Sequence, residues 1–200
     1  MTRPLRTNDE LSAETISALT KRARKAFAQR GYAATSVEDV AAEAGLTKGA
    51  VYYHFKNKQG LFEAVLRAVQ RDVVERIDAR SGNARDPGRA VIAGCEAFLD
   101  VALDDEIRQI ALVDGPSVVG WATWRAIDGE FGLGSLKSGL RECQAAGLLG
   151  RSDPDVLAHL ISGALNEAVF LIAEASDRAA AHRRVEGAVR AMLRHLLGAD

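Results

Sequence analysis

Cysteine is scarce: Cys95 and Cys143 are the only two in 200 residues, too few for a disulfide framework or a metal cage of the CxxC kind. Both fall in helical patterns and read as buried thiols of a reducing cytoplasm. No stretch reaches the roughly 18 apolar residues of a membrane span, and the N-terminal MTRPLRTNDELSAETISAL has no apolar core segment, so a cytosolic protein is expected. Alternating β-branched runs bounded by hairpin turns are missing, as are internal repeats and low-complexity tracts, which argues against a sheet. Catalytic signatures are missing too. There is no GxSxG elbow and no HExxH helix, and His159, His182 and His195 lack ligand spacing with one another or with the cysteines, so they read as solvated or capping histidines. A phosphate loop needs Lys directly after its final Gly, where backbone amides and ammonium converge. In the nearest candidate, Gly129 to Ser138, Ser135 and Leu136 intervene before Lys137, and no buried strand precedes it. Neither an enzyme, nor a cofactor, nor a metal site is expected.

What is present is ordinary globular material, 48% apolar and 26% charged, at a length that suits a small module fused to a larger one. Folding is expected throughout, apart from the N-terminal tip. The net charge of −1 hides an asymmetry. Residues 1–60 carry ten Lys or Arg against six Asp or Glu, a surplus of four positive charges, and residues 61–200 carry sixteen against twenty-one, a surplus of five negative ones. A cationic module suits a polyanion and an acidic remainder is repelled by one, so the sign change orients the molecule.

Helical periodicity dominates, and an all-α fold follows. Ile16, Leu19, Ala23, Ala26 and Phe27 recur at three- and four-residue spacing, with Gly31 as the stop. Thr35 and Glu38 have the spacing of a capping box opening a second helix striped by Val37, Val40, Ala41 and Ala44. Gly45 and Leu46 make a turn. Thr47 caps a short third helix through about Tyr53, and Asn57 caps a fourth. Leu61, Phe62, Val65, Leu66, Val69 and Val73 carry that fourth helix onward, so it joins a headpiece to a body. Breaks are expected near residues 80–88, at Gly115-Pro116, around Gly132 to Gly134, at Gly150 to Pro154 and near Asp177, with helices over about 105–113, 119–131, 135–147, 155–175 and 178–197.

Two short helices joined by a tight turn, the second barely two turns long, form the geometry that lays a recognition helix in the major groove. The third helix is odd in composition. Thr47, Lys48, Gly49, Ala50, Tyr52 and Tyr53 offer donors, flat aromatic faces and little bulk, while only Val51 and Phe55 are clear core anchors. The duller readings are a solvated helix end for His54, an ordinary surface charge for Lys58 and a plain cap for Thr35. A protein-interaction module is the competing function.

Ala26-Phe27, Gly31-Tyr32, Thr35-Ser36-Val37, Val40-Ala41, Ala44-Gly45, Thr47 to Tyr52, His54-Phe55, Lys58 and Leu61-Phe62 follow one another in an order and spacing that resembles the TetR family of bacterial regulators over residues 12–65. The resemblance implies that Thr47, Lys48, Gly49, Tyr52 and Tyr53 face DNA and that Ser36, His54 and Lys58 lie near the backbone phosphates. Tyr53 occupies a position that varies in the family, so its base preference does not carry over. The resemblance also implies residues 1–60 as the DNA-binding domain, residues 61–200 as a helical effector-binding and dimerisation domain, and repression until a small molecule intervenes.

One short helix reads too little sequence for genomic selectivity, so a homodimer on a palindromic or near-palindromic operator is expected. Residues 155–174 are apolar around most of the helix and are expected to pair with 135–147 in a four-helix interface with the symmetry mate. Phe98, Trp121, Trp124, Phe131 and Phe170, with polar Asp114, Arg125 and Asn166, are the candidate lining of a small-molecule site, against plain core as the alternative.

Overall fold

The structure is a computed structural model describing residues 8–198, helical and free of strands among the described residues. The N-terminal tip and the outermost ends of the two expected segments, residues 1–7 and 199–200, lie outside the described residues. Helices α1 (Asn8–Ala34), α2 (Val37–Glu43), α3 (Lys48–Phe55) and α4 (Lys58–Ser81) come first, followed by α5 (Pro87–Leu99) and a 3-10 turn at Asp100–Leu103. A helical run then passes from α6 (Asp105–Ile107) through a π-helical segment, Arg108–Asp114, into α7 (Gly115–Val119). The chain closes with α8 (Trp121–Glu130), α9 (Gly132–Ala145), α10 (Pro154–Glu174) and α11 (Arg178–Leu197).

The first helix buries Leu19, Ala23, Ala26 and Phe27, but Ile16 is exposed. Gly31, at φ 73 and ψ 167, breaks the helix where expected, and Tyr32 folds back so that its ring meets Phe27 and Phe62 at 5.7 and 5.3 Å between centroids. The capping box is one residue out of place. Ser36, not Thr35, caps α2 by accepting from the Asp39 amide at 3.0 Å. Thr35 is buried, its amide already donates to Tyr32 O, and its hydroxyl is directed at the carbonyls of Gly31 (2.8 Å) and Ala26 (3.3 Å). These contacts at the α1 break engage the Thr35 side chain before α2 can use it. Thr47 and Asn57 cap α3 and α4 as read, through the amides of Ala50 (3.3 Å) and Gly60 (2.7 Å). The third helix continues to Phe55, two residues beyond the expected end, because Phe55 is a core side chain.

Gly115-Pro116 does not break the chain. In the i→i+5 register of the π segment, the partner of the Ala111 carbonyl is residue 116, which as proline has no N–H. The indole of Trp124 fills the gap, donating to Ala111 O at 2.7 Å, and Gly115 makes room for it: a Cβ there would lie 2.9 Å from Trp124 Cδ1. The real break falls at Gly120 (φ 80), and the α8–α9 corner turns on Phe131, just before the glycines expected to make it. One apolar core, from Leu19 to Leu197, joins headpiece and body through α4, with Val65, Leu66, Val69 and Val73 buried along its length.

α10 buries Ala158, Ile161, Leu165, Ala168, Val169 and Ile172 inward and exposes Val156, Leu160 and Leu171 outward. Its mean hydropathy, 1.7 over 18 residues, makes it the one helix among the described residues long and apolar enough to cross a membrane by composition alone. Its neighbour on the outer face is α11, where Leu157, Leu160, Ile161, Ala164, Met192, His195 and Leu196 line a shallow apolar groove. α9 packs along α10 as well as against α4, α5 and α8, and exposes no large apolar side chain.

Candidate nucleic-acid interface and body cavity

α3 presents one face to the core and another to solvent. Val51 is fully buried and Phe55 nearly so, and α1, α2 and α4 brace them from behind. Opposite them Tyr53 is 83% exposed and Tyr52 44% exposed. Two aromatic rings held out in water on a two-turn helix are costly unless something covers them. Thr47, Lys48 and Gly49 share the exposed start of that helix. The Lys48 ammonium pairs with Glu38 of α2 and lies 5.5 Å from the Tyr52 ring centre. Hydrogen bonding to Lys48 holds the Glu38 carboxyl below the usual range, and the same bond raises the lysine. His54, half-buried in the last turn, stands edge-on to Tyr53 with centroids 4.9 Å apart.

The two flanking candidates are partly engaged. Ser36 is half-buried and its oxygen already caps α2. Lys58 donates to Ala33 O at 3.3 Å and lies 4.2 Å from the Tyr32 ring centre, tying α4 to the end of α1. Burial holds its ammonium below the ordinary lysine value, against the pull of Asp114.

Asp114 belongs to this region and not to a ligand site. Its carboxylate accepts from the Tyr32 amide at 3.0 Å, satisfying the N–H exposed by the Gly31 break. Arg24 of α1 makes a second bridge, pairing with Asp72 of α4 and, at 2.6 Å, with Glu106 of α6.

In the body a cavity of about 300 Å³ lies among α4, α5 and α9, reached by the end of α8 and the middle of α10. Of the eight residues expected to line a ligand site, it brings in Phe98 alone. Trp124 is buried in its socket against Ala111, while Trp121 stacks on it at 5.2 Å and is 65% exposed. Arg125 sits beside the two indoles, pairs with Asp128 at 2.7 Å and contacts His159 Nδ1 at 3.1 Å. Phe131 and Phe170 pack against the core, and Asn166 is half-buried outside the lining. Asp128, Asp78, Glu142, Ser162 and the aliphatic walls were missed. The usable signal was small side chains at helical spacing on α9, Gly132, Ser135 and Ser138-Gly139, facing Ala90 and Gly94 on α5: a void forms where side chains are short.

Among the described residues no cluster of three or more His, Cys, Asp or Glu could hold a metal; His182 stands 3.0 Å from Asp100 and His195 lies in the α10–α11 groove. Burial pushes the Cys95 thiol up to about 12 and that of Cys143 to about 11.

A braced two-turn helix with an aromatic and cationic outer face, on a helical body with an open cavity, is the build of a helix-turn-helix transcriptional regulator. Residues 19–65 match the family model for bacterial regulatory proteins of the tetR family, and residues 89–196 match that for tetracyclin repressor-like C-terminal domains. The chain belongs to the TetR family, whose members are DNA-binding transcriptional regulators and not enzymes. It is similar to a TetR-family transcriptional regulator of Pectobacterium atrosepticum, at 37% identity and a TM-score of 0.79, with 96% of this chain and 98% of that one covered. It is 28% identical to the transposon Tn10 TetC protein of Escherichia coli over 74% of this chain and 75% of that one. With the regulator TtgR of Pseudomonas putida it shares 33% identity over 53% of this chain and 51% of that protein.

Proposed function

We propose that the protein is a cytoplasmic homodimeric repressor in which residues 1–60 bind a palindromic or near-palindromic operator and residues 61–200 pair the protomers and hold a small-molecule effector that releases the DNA. The observation that carries the DNA reading is the solvent-facing surface of α3, where Tyr52 and Tyr53 stand exposed beside Lys48 at the open end of a braced helix. Thr47, Lys48, Tyr52 and Tyr53 read base edges, and Gly49 lets the backbone come close. Ser36, His54 and Lys58 meet phosphates at the flanks. Glu38 tempers Lys48 off the DNA and gives it up when a phosphate competes.

The α10–α11 groove supports the dimer, since it offers an apolar face with small Gly163 and Ala164 for close approach. The effector reading rests on the α4–α5–α9 cavity, whose wall includes the far end of the helix that begins in the headpiece. An occupant that favours one placement of α4 shifts the spacing of the two headpieces.

Mobility shift against operator fragments selected from genomic DNA tests the central claim. Tyr52→Ala and Lys48→Ala should each weaken retention by tenfold or more, at about 1–3 kcal/mol per lost base contact, with the dimer mass unchanged. Wild-type retention by both variants rejects the assignment. Steep loss of binding between low and moderate salt separates a DNA surface from an apolar protein contact.

A further inference from the structure

The body cavity carries a chemical preference that goes further than the presence of an effector site, although it rests on that reading. Its lining has three carboxylates, Asp78, Asp128 and Glu142, and no Lys, Arg or His. Asp78 and Glu142 are exposed at the mouth and form no ion pair with a described residue. Asp128 is 8% exposed at the inner end. Arg125 holds its Oδ2 at 2.7 Å from outside the lining, whereas Oδ1 takes no hydrogen bond from a described residue and faces Gly132 on the wall, 3.6 Å from where a Cβ would stand. Oδ1 is an open acceptor on a residue of the cavity lining, available to a donor that an occupant brings.

We propose that the cavity binds an aliphatic amine in its protonated form, with the ammonium donating to Asp128 Oδ1 and the hydrocarbon chain lying along Val91, Leu133, Leu136 and Leu165. Arg125 neutralises only part of the lining's negative charge, so the two rim carboxylates leave the entrance attractive to cations and hostile to anions. Phe98 is the single aromatic residue of the lining, which leaves no pair of rings to sandwich a flat aromatic cation; beside the carboxylates the walls are aliphatic side chains and glycines, with the Cys95 thiol and the hydroxyls of Ser81, Ser135, Ser138 and Ser162. Size follows from the cavity volume of about 300 Å³. A water-sized group takes about 30 Å³, so about ten non-hydrogen atoms fill it.

Calorimetry on the full-length protein with octylamine, octanol and octanoate, a series equal in length and differing in charge, tests this directly. Octylamine is expected to bind about tenfold more tightly than octanol, with octanoate weakest. Asp128→Asn should lower octylamine affinity about tenfold and leave octanol unaltered, so octanol reports an intact cavity. Glu142→Gln, at the solvent-exposed mouth, should weaken octylamine binding less and flatten its salt dependence. Octanoate binding as tightly as octylamine, no octylamine binding at all, or a preference untouched by both substitutions overturns the proposal. Operator release is followed separately by fluorescence anisotropy. Octylamine that binds with the expected selectivity but leaves the operator bound rejects the effector reading while the amine chemistry stands; release by octanoate does the reverse.

Discussion

Trp121 and Trp124 are the same residue type one helical turn apart, and their neighbours decide that they do different things. Trp124 supplies the one N–H that Pro116 withholds from Ala111 O, in a socket that Gly115 keeps open. Trp121 lies flat on it, mostly in water. Trp124→Phe strands a buried carbonyl and leaves a gap, so urea denaturation should show a loss of about 2–3 kcal/mol. Trp121→Ala gives up little more than the stacking contact and should cost about 1 kcal/mol or less. Equal losses at the two positions would contradict this account of the π segment. The Thr35 and Ser36 pair teaches the same lesson, since either hydroxyl can cap a helix and the contacts of Thr35 with the Gly31 and Ala26 carbonyls settle which one is taken elsewhere.

Among the elements, α10 is the one whose role rests most on the proposed dimer. Its inner stripe is satisfied by the body, but Val156, Leu160 and Leu171 remain on the surface in a helix of mean hydropathy 1.7. A second α10–α11 face closing on the first removes them from water, burying apolar area worth about 25 cal/mol per Å² before the cost of association. Leu160→Asp places a charge in the middle of that contact. Light scattering should then give a monomer at micromolar concentration, circular dichroism should stay helical, and operator affinity should fall because one headpiece reads only a half-site. A dimer that persists unchanged would move the interface to another face.

On the scale of the whole molecule, headpiece and body are joined by more than α4. The Asp114 carboxylate reaches from the π segment to the Tyr32 amide, and Arg24 ties α1 to both α4 and α6. These links tie the body to the headpiece at two further points, which is what the proposed effector switch would need. Asp114→Ala should cost about 1–2 kcal/mol locally, seen as roughly tenfold faster amide exchange around Tyr32, while Asp114→Asn, which keeps an acceptor oxygen, should retain most of the protection. Exchange unchanged in both variants would mean that the bond carries no load.

The α-helical class, the helix-turn-helix order and the exposed face of α3 were legible in the amino-acid sequence, because spacing of apolar residues and capping side chains act within a few residues of themselves. Thr47, Asn57 and the stripe from Leu61 to Val73 needed no distant partner to be read correctly. The cavity, the role of Asp114 and the neighbour of α10 needed the tertiary structure. Aromatic residues pointed to the wrong places since large rings fill space, and the void opens instead where Gly132, Ser135 and Gly139 of α9 face Gly94 of α5. Asp114 and Tyr32 are 82 positions apart, and Pro116 meets its remedy only when α8 folds back over it. Hydrogen-bond debts of that kind are settled across the fold, and no local pattern records who settles them.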